Sequence, residues 1–186
     1  GLDAAGVETD EHGFIRVDSR FRTSTRGVFA IGNVTGRPMF THSARDDADL
    51  LYRILLKDDE TASTEGRVVP HAVFTDPEVA SVGLTEAQAR EQGFAVAIGK
   101  QAFDGVARAR AMGETAGLIK LVADDDSGRL LGAHILGPSA GELIHELALG
   151  LAMEATVDDV APTLHVHPTL AEGINAAAGG VHRPAG

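Results

Sequence analysis

Between two strongly apolar stretches, Leu118–Ala123 and Arg129–Leu136, lies the run Asp124-Asp125-Asp126-Ser127-Gly128. No other feature restricts the possible fold as much. The run is made of turn formers, and its glycine supplies the positive φ that a tight reversal demands. The two flanks are therefore predicted to pair as a β-hairpin, which commits this part of the chain to an antiparallel sheet.

The neighbouring segments extend that sheet. Val68–Phe74 and Val79–Gly83 read as short strands around the turn Thr75-Asp76-Pro77-Glu78, and Phe94–Phe103 as another. Thr85-Glu86-Ala87-Gln88 has capping-box spacing and opens a helix that Gly93 ends. Ser139-Ala140-Gly141-Glu142 has the same spacing and opens a longer helix, with Leu143, Ile144, Leu147, Ala148 and Leu151 on one face. That face exceeds what a small sheet covers alone, so it is expected either to meet a second copy or to be internal core. A short helix at Val157–Val160 and a break at Pro162 follow. Leu164–Val166 then approaches a last helix that is capped from Thr169 and ended by Gly179-Gly180. The tail to Gly186 is expected to be loose. Strands, hairpins and helices in this order predict an α+β domain: an antiparallel sheet with helices.

The first part of the chain is less complete. Phe14–Asp18 alternates like a strand, and Gly27-Val28-Phe29-Ala30-Ile31-Gly32-Asn33 reads as a buried strand closed by glycine. Ala44–Lys57 carries Ala48, Leu51, Leu55 and Leu56 at helical spacing. Two strands and a helix bury too little to stand alone, so residues 1–59 are expected to belong to a larger sheet. Residues 60–67 read as a linker, and residues 68–186 as the α+β domain.

Composition narrows the function classes. Sixteen basic against 27 acidic residues give a net charge of −11, which argues against nucleic acid and anionic membrane as partners. No run approaches the length of a membrane span. The chain contains no cysteine, which suits a cytoplasmic setting and rules out a disulfide framework.

The chemistry concentrates in His165-Val166-His167-Pro168-Thr169-Leu170-Ala171-Glu172. Thr169 and Glu172 have capping-box spacing, so a helix is predicted to start there, and Pro168 biases His167 toward an extended backbone. An imidazole at a helix N-terminus sits in a positive potential that favours its neutral, proton-accepting form, which is what a general base near neutral pH requires. On the local pattern alone, Glu172 reads first as a helix cap. Two histidines one residue apart are compatible with a metal, but no second ligand cluster accompanies them, so no metal site is expected.

These residues, H-x-H-P-T-L-x-E, resemble the active-site segment of the dimeric flavoprotein disulfide reductases, most of all the lipoamide dehydrogenase branch. Other stretches share the resemblance, which covers about Gly13 to Ala178. Val73-Phe74-Thr75-Asp76-Pro77-Glu78-Val79-Ala80-Ser81-Val82-Gly83 is similar to the opening of the family's dimerisation domain. Ala107-Arg108-Ala109-Arg110-Ala111 and Gly117-Leu118-Ile119-Lys120 match further on, with Arg108, Arg110 and Lys120 read as surface or hairpin charges. Gly27–Asn33 is similar to a flavin motif, a buried strand ending in Gly-Asp. Here Asn33 stands where the family has Asp, which keeps an acceptor and loses the charge. Met39-Phe40-Thr41-His42 resembles the next flavin-contacting segment, at a helix start.

The resemblance implies roles. His167 becomes the catalytic base and Glu172 the carboxylate that orients it, with His165 supporting or lining the site. Gly32, Asn33, Met39, Phe40, Thr41 and His42 become FAD contacts. Electrons pass from a small dithiol through a redox disulfide to FAD and on to NAD(P), and the active site forms only in a homodimer. The sequence holds no cysteine and no strand-initiated G-x-G-x-x-G, so the chain is expected to be the C-terminal part of a longer enzyme. The alternative is a non-catalytic dimerisation or interaction module without the redox disulfide.

Overall fold

The computed structural model describes residues 1–181, so the expected loose tail falls almost wholly outside the described residues. Contacts gather into two compact units that divide between Arg67 and Val68. Among the described residues no helix is long and apolar enough to cross a membrane.

The unit from Val68 onward is α+β. Its strands are β1 (His71–Val73), β2 (Glu78–Gly83), β3 (Val96–Ala102), β4 (Leu118–Asp124) and β5 (Leu130–Gly137). They form one antiparallel sheet in the order β1-β2-β5-β4-β3. The β4–β5 hairpin forms as expected. Gly128 lies at φ 75° and donates its N–H to the Asp124 carbonyl at 2.8 Å. Alternation along the strands sends Ala80, Val82, Ile119, Leu121, Ala133 and Ile135 to one buried face.

Helix α4 (Ala140–Ala152) packs on β2 and β5, and α6 (Glu172–Gly179) on β3 and β4. Ile144 and Leu147 of α4 are buried, and Leu143, Ala148 and Leu151 pack against the same core. The apolar face of α4 is therefore internal. Helix α6 approaches the sheet closely over Gly99, where a Cβ would lie 2.1 Å from the Ala177 carbonyl oxygen. Two shorter helices, α2 (Glu86–Glu91) and α3 (Ala107–Met112), connect strands, and α5 (Val157–Val160) leads toward α6. Arg108 and Arg110 of α3 are exposed, while Lys120 of β4 pairs with Glu86 at 2.8 Å.

Two of the expected caps behave differently. Thr85 and Gln88 make the full reciprocal box at α2. Ser139 does not cap α4 with its side chain; its backbone is left-handed at φ 55° rather than in the extended conformation of a capping residue. The Glu78 carboxylate of β2 takes over, accepting from Gly141 N at 2.9 Å. A carboxylate at a helix N-terminus also meets the favourable end of the dipole.

The unit Gly1–Arg67 contains α1 (Thr41–Leu56), starting three residues before the predicted Ala44. Phe14–Asp18 and Gly27–Asn33 are not ladder-forming strands. Each makes a single bridge, Thr9 to Ile15 and Arg22 to Phe29, because no described strand of this unit lies beside them. Gly32–Thr35 winds instead into a 3₁₀ turn. The small core consists of Phe21, Leu50, Ile54 and Ala62, backed by Phe29, Ile31 and Leu51. Residues after α1 are tied to this unit: Arg20 donates to the carbonyls of Asp59, Glu60 and Ala62.

Candidate active site

The path from α5 to α6 sets the site in the second unit. Thr156 and Asp159 form a capping box at α5, and Thr163 Oγ1 donates to the Asp159 carbonyl at 3.0 Å. Asn175, on α6, donates to the carbonyls of Val160, Ala161 and Thr163, so this stretch is stapled to the last helix. The chain then runs without regular secondary structure through Leu164 and Val166 to the His167–Pro168 peptide, which is cis.

Glu172 opens α6 and uses both carboxylate oxygens. Oε1 lies 2.8 Å from His167 Nδ1, and Oε2 accepts from Thr169 N at 2.8 Å. This is half of the predicted capping box. The reciprocal bond is missing and Thr169 Oγ1 is buried without a partner, because the chain already turns at Leu170 and the helix begins at Glu172 itself. The carboxylate thus serves the helix start and the imidazole at once, so the two readings of Glu172 do not compete.

With Nδ1–H donating to Glu172, the neutral His167 ring presents its lone pair at Nε2. The side chain is 71% exposed, so that nitrogen is open to a reacting group. The Thr169 amide, followed by the bond from His167, holds the Glu172 carboxyl below its ordinary range. A depressed carboxylate contributes stability that is present above its unfolded pKa and is lost as pH falls through the folded one. A carboxyl ¹³C titration of Glu172 is therefore expected to fall below the values of unpaired glutamates in the same chain. Coincidence with those glutamates would mean that the bonds are not kept in solution.

His165 does not stand beside His167. Its side chain is only 10% exposed and turns to Glu146 on α4, with Nε2 to Oε2 at 2.9 Å. A cavity of about 440 Å³ lies along this segment, lined by residues including Leu164, His165, Glu172 and Asn175. A larger concavity, about 550 Å³, is lined by Thr75–Glu78, Met112–Ala116 and Pro138–Ser139 and contains no histidine.

In the first unit, Gly32 and Asn33 sit in the 3₁₀ turn, and Met39, Phe40, Thr41 and His42 lead into α1. Asn33, Met39, Thr41 and His42 are exposed, and the Phe40 and His42 rings stack with centroids 5.3 Å apart. The residue capping α1 is Phe40, whose side chain has no acceptor, so the positive end of this 16-residue helix carries no side-chain cap. An exposed amide beside an uncapped helix start fits the hydroxyl-rich chain and electron-rich ring edge of a flavin. The turn is anchored by Asp47, 2% exposed, which accepts from Gly32 N at 2.9 Å and from Arg67 Nη1 at 2.6 Å.

Sequence reading passed over Asp47, Arg67, Glu146 and Asn175. Asp47 had a signal, since it occupies the buried stripe Ser43, Asp47, Leu50, Ile54 of α1, where a lone carboxylate demands a partner. Glu146 and Asn175 had none, because their partners are distant in sequence.

The fold and the His167–Glu172 pair define a class. Residues 69–178 match the pyridine nucleotide-disulphide oxidoreductase dimerisation domain, and residues 1–48 match a pyridine nucleotide-disulphide oxidoreductase model. The chain belongs to the pyridine nucleotide-disulphide oxidoreductase family. It is 44% identical over 177 residues to dihydrolipoyl dehydrogenase 2 of Haloarcula marismortui, covering 95% of this chain and 37% of that protein. Dihydrolipoyl dehydrogenase of Thermus scotoductus is 44% identical over 189 residues, covering 100% of this chain and 40% of that protein. Among solved structures, the HOCl-induced flavoprotein disulfide reductase RclA from Escherichia coli aligns with a TM-score of 0.87 at 31% identity, covering 96% of this chain and 41% of that one. The chain thus spans well under half the length of these relatives.

Proposed function

We propose that this chain supplies the dimer interface, the flavin-ring contacts and the His167/Glu172 acid–base pair of an FAD-dependent, NAD(P)-linked dithiol–disulfide oxidoreductase of the dihydrolipoamide dehydrogenase type. The observation that carries the reading is the His167–Glu172 bond of 2.8 Å through Nδ1 on a ring that is otherwise largely exposed. Glu172 holds the ring in the tautomer whose Nε2 accepts a proton, and it stabilises the imidazolium that forms. The proton comes from the thiol of a small dithiol as that sulfur becomes the attacking thiolate. FAD, when bound, supplies the acceptor for the electron pair that NAD(P) finally carries away. Gly32, Asn33, Met39, Phe40, Thr41 and His42 would hold it, with Asn33 offering its amide to a flavin hydroxyl.

The chain by itself has no cysteine, so the redox disulfide comes from elsewhere in the polypeptide or its partner. That same fact favours the second reading, a dimerisation module without catalysis. Dithiol-dependent NAD reduction separates the two. A protein that joins this chain to a dinucleotide-binding region and a cysteine pair is expected to turn over through His167, whereas a module is indifferent to its replacement. A cytoplasmic setting belongs to the same proposal and rests on the cysteine-free, acidic composition.

Two further outcomes are expected of Gly1–Gly186 itself. It forms a homodimer through the unit from Val68 onward, because Leu164 is 97% exposed, Phe74 82% and Val166 77%, a costly display of large apolar side chains. Sedimentation showing only monomer at micromolar concentration would defeat this. It retains no FAD, because no strand-initiated G-x-G-x-x-G is present to cradle the pyrophosphate. Stoichiometric yellow flavin after purification would show the opposite.

A further inference from the structure

A second histidine, which the mechanism above does not use, holds the segment leading to His167. Along Leu164, His165 and Val166 the outer two side chains face solvent while the middle one turns inward. His165 Nδ1 lies 2.9 Å from the Thr163 carbonyl oxygen, and Nε2 lies 2.9 and 3.1 Å from the two Glu146 carboxylate oxygens. All of these oxygens accept and none donates. A neutral imidazole has one N–H, so one contact would set a lone pair against an oxygen. Only the imidazolium satisfies both sides.

His134 gives the contrast within the same molecule. Its Nδ1 faces the Ser81 hydroxyl at 3.1 Å and its Nε2 the Leu84 carbonyl at 3.2 Å, a donor and an acceptor that suit a neutral ring. Burial, its largest influence, moves His134 downward.

We propose that His165 is a positioning residue that works as an imidazolium, tying the Thr163–His167 segment to α4 through Glu146. Asn175 ties the preceding carbonyls to α6, so the backbone on the N-terminal side of His167 is fixed from two helices. The ring of His167 then has one place to stand against Glu172. This role rests on the reading of His167 as the base.

The charged groups around His165 agree with that state. Glu146 faces it from α4, and the His165 charge helps to hold the Glu172 carboxylate of α6 ionised. On α5, Asp159 is turned to Thr156, and His167 on the same segment is engaged by Glu172. Burial presses His165 downward, but the Glu146 carboxylate and the Thr163 carbonyl outweigh it, and the net direction is upward. A raised histidine contributes stability that is full below its unfolded pKa and lost as pH rises through the folded one. The tether therefore persists above the pH at which an ordinary histidine loses its charge, and is lost as pH rises through the raised value.

Imidazole ¹⁵N spectra of Gly1–Gly186 read the charge without any turnover. His165 is expected to keep both ring protons at a pH where a free imidazole has lost one, and Glu146→Gln to remove that difference. In the protein that also carries the flavin region and the cysteine pair, Glu146→Gln and His165→Asn are expected to lower kcat about 10- to 100-fold, the usual scale for a misplaced catalytic group. KM should stay near wild type, and the alkaline limb of the rate profile should move to lower pH in Glu146→Gln. If His165→Asn does not fold, Glu146→Gln, which keeps its size and an acceptor, carries the test. A singly protonated His165 at neutral pH overturns the proposal. So does an unchanged kcat in Glu146→Gln when His167→Gln abolishes turnover, and only the positioning role then falls. If His167→Gln itself leaves turnover intact, the base assignment falls first and the tether loses its purpose with it.

Discussion

Replacing His167 with Gln in the complete enzyme is expected to depress dithiol-dependent NAD reduction by about 10²- to 10⁴-fold, the contribution of a positioned acid–base group. Flavin content and folding should stay near normal, because the ring is mostly exposed and packs against little. Glu172→Gln should be milder than this but not silent. Both carboxylate oxygens act as acceptors, one for His167 Nδ1 and one for Thr169 N, and an amide has only one oxygen to give. A loss of about tenfold is expected, the scale of one charge-assisted hydrogen bond. Glu172→Ala should lower activity and stability together, since the imidazole and the start of α6 lose their partner in one step. Near-wild-type turnover in His167→Gln would leave this segment as a helix start and nothing more.

The largest effect on folding is expected at Phe103. It is fully buried in the main core, among residues that include Ile119, Ile135 and Ile174. Gly137 makes room for its ring, since a Cβ there would come within 2.1 Å of Cε2. Phe103→Ala removes the largest side chain of this cluster from between sheet and helices that are already fixed by a five-strand ladder. The site therefore has little freedom to collapse, and a loss of about 3–5 kcal/mol is expected. Urea unfolding should show the midpoint falling at unchanged slope. A loss below about 1 kcal/mol would mean that the neighbouring helices close the cavity.

Local signals carried much of the second unit. The Asp124–Gly128 turn, the period of two along β2, β4 and β5, and the Thr85 box each depend on residues a few positions apart. They survive because the tertiary structure agrees with them. The His167–Glu172 contact was expected from the family resemblance, since the local pattern favoured a helix cap, although its partners are only five positions apart. The flavin-motif strand did not survive. Gly27–Asn33 has the composition of a strand, but a strand needs a neighbour, and in its unit it finds only one bridge.

What only the tertiary structure decided is what each polar group does when a distant one arrives. Ser139, left-handed at φ 55°, makes no side-chain cap on α4, and β2 brings Glu78 from 63 positions away to accept from the neighbouring Gly141 N–H. His165 and His167, two positions apart, were divided by α4, which offers Glu146 to one and leaves the other to Glu172. The sequence by itself determined the antiparallel α+β domain, because it follows from short-range periodicity and spacing, whereas the proposed acid–base pair was legible only through the family resemblance. That Glu146 rather than Glu172 meets His165 follows from long-range packing, because α4 delivers that carboxylate from 19 positions away, which no local pattern encodes.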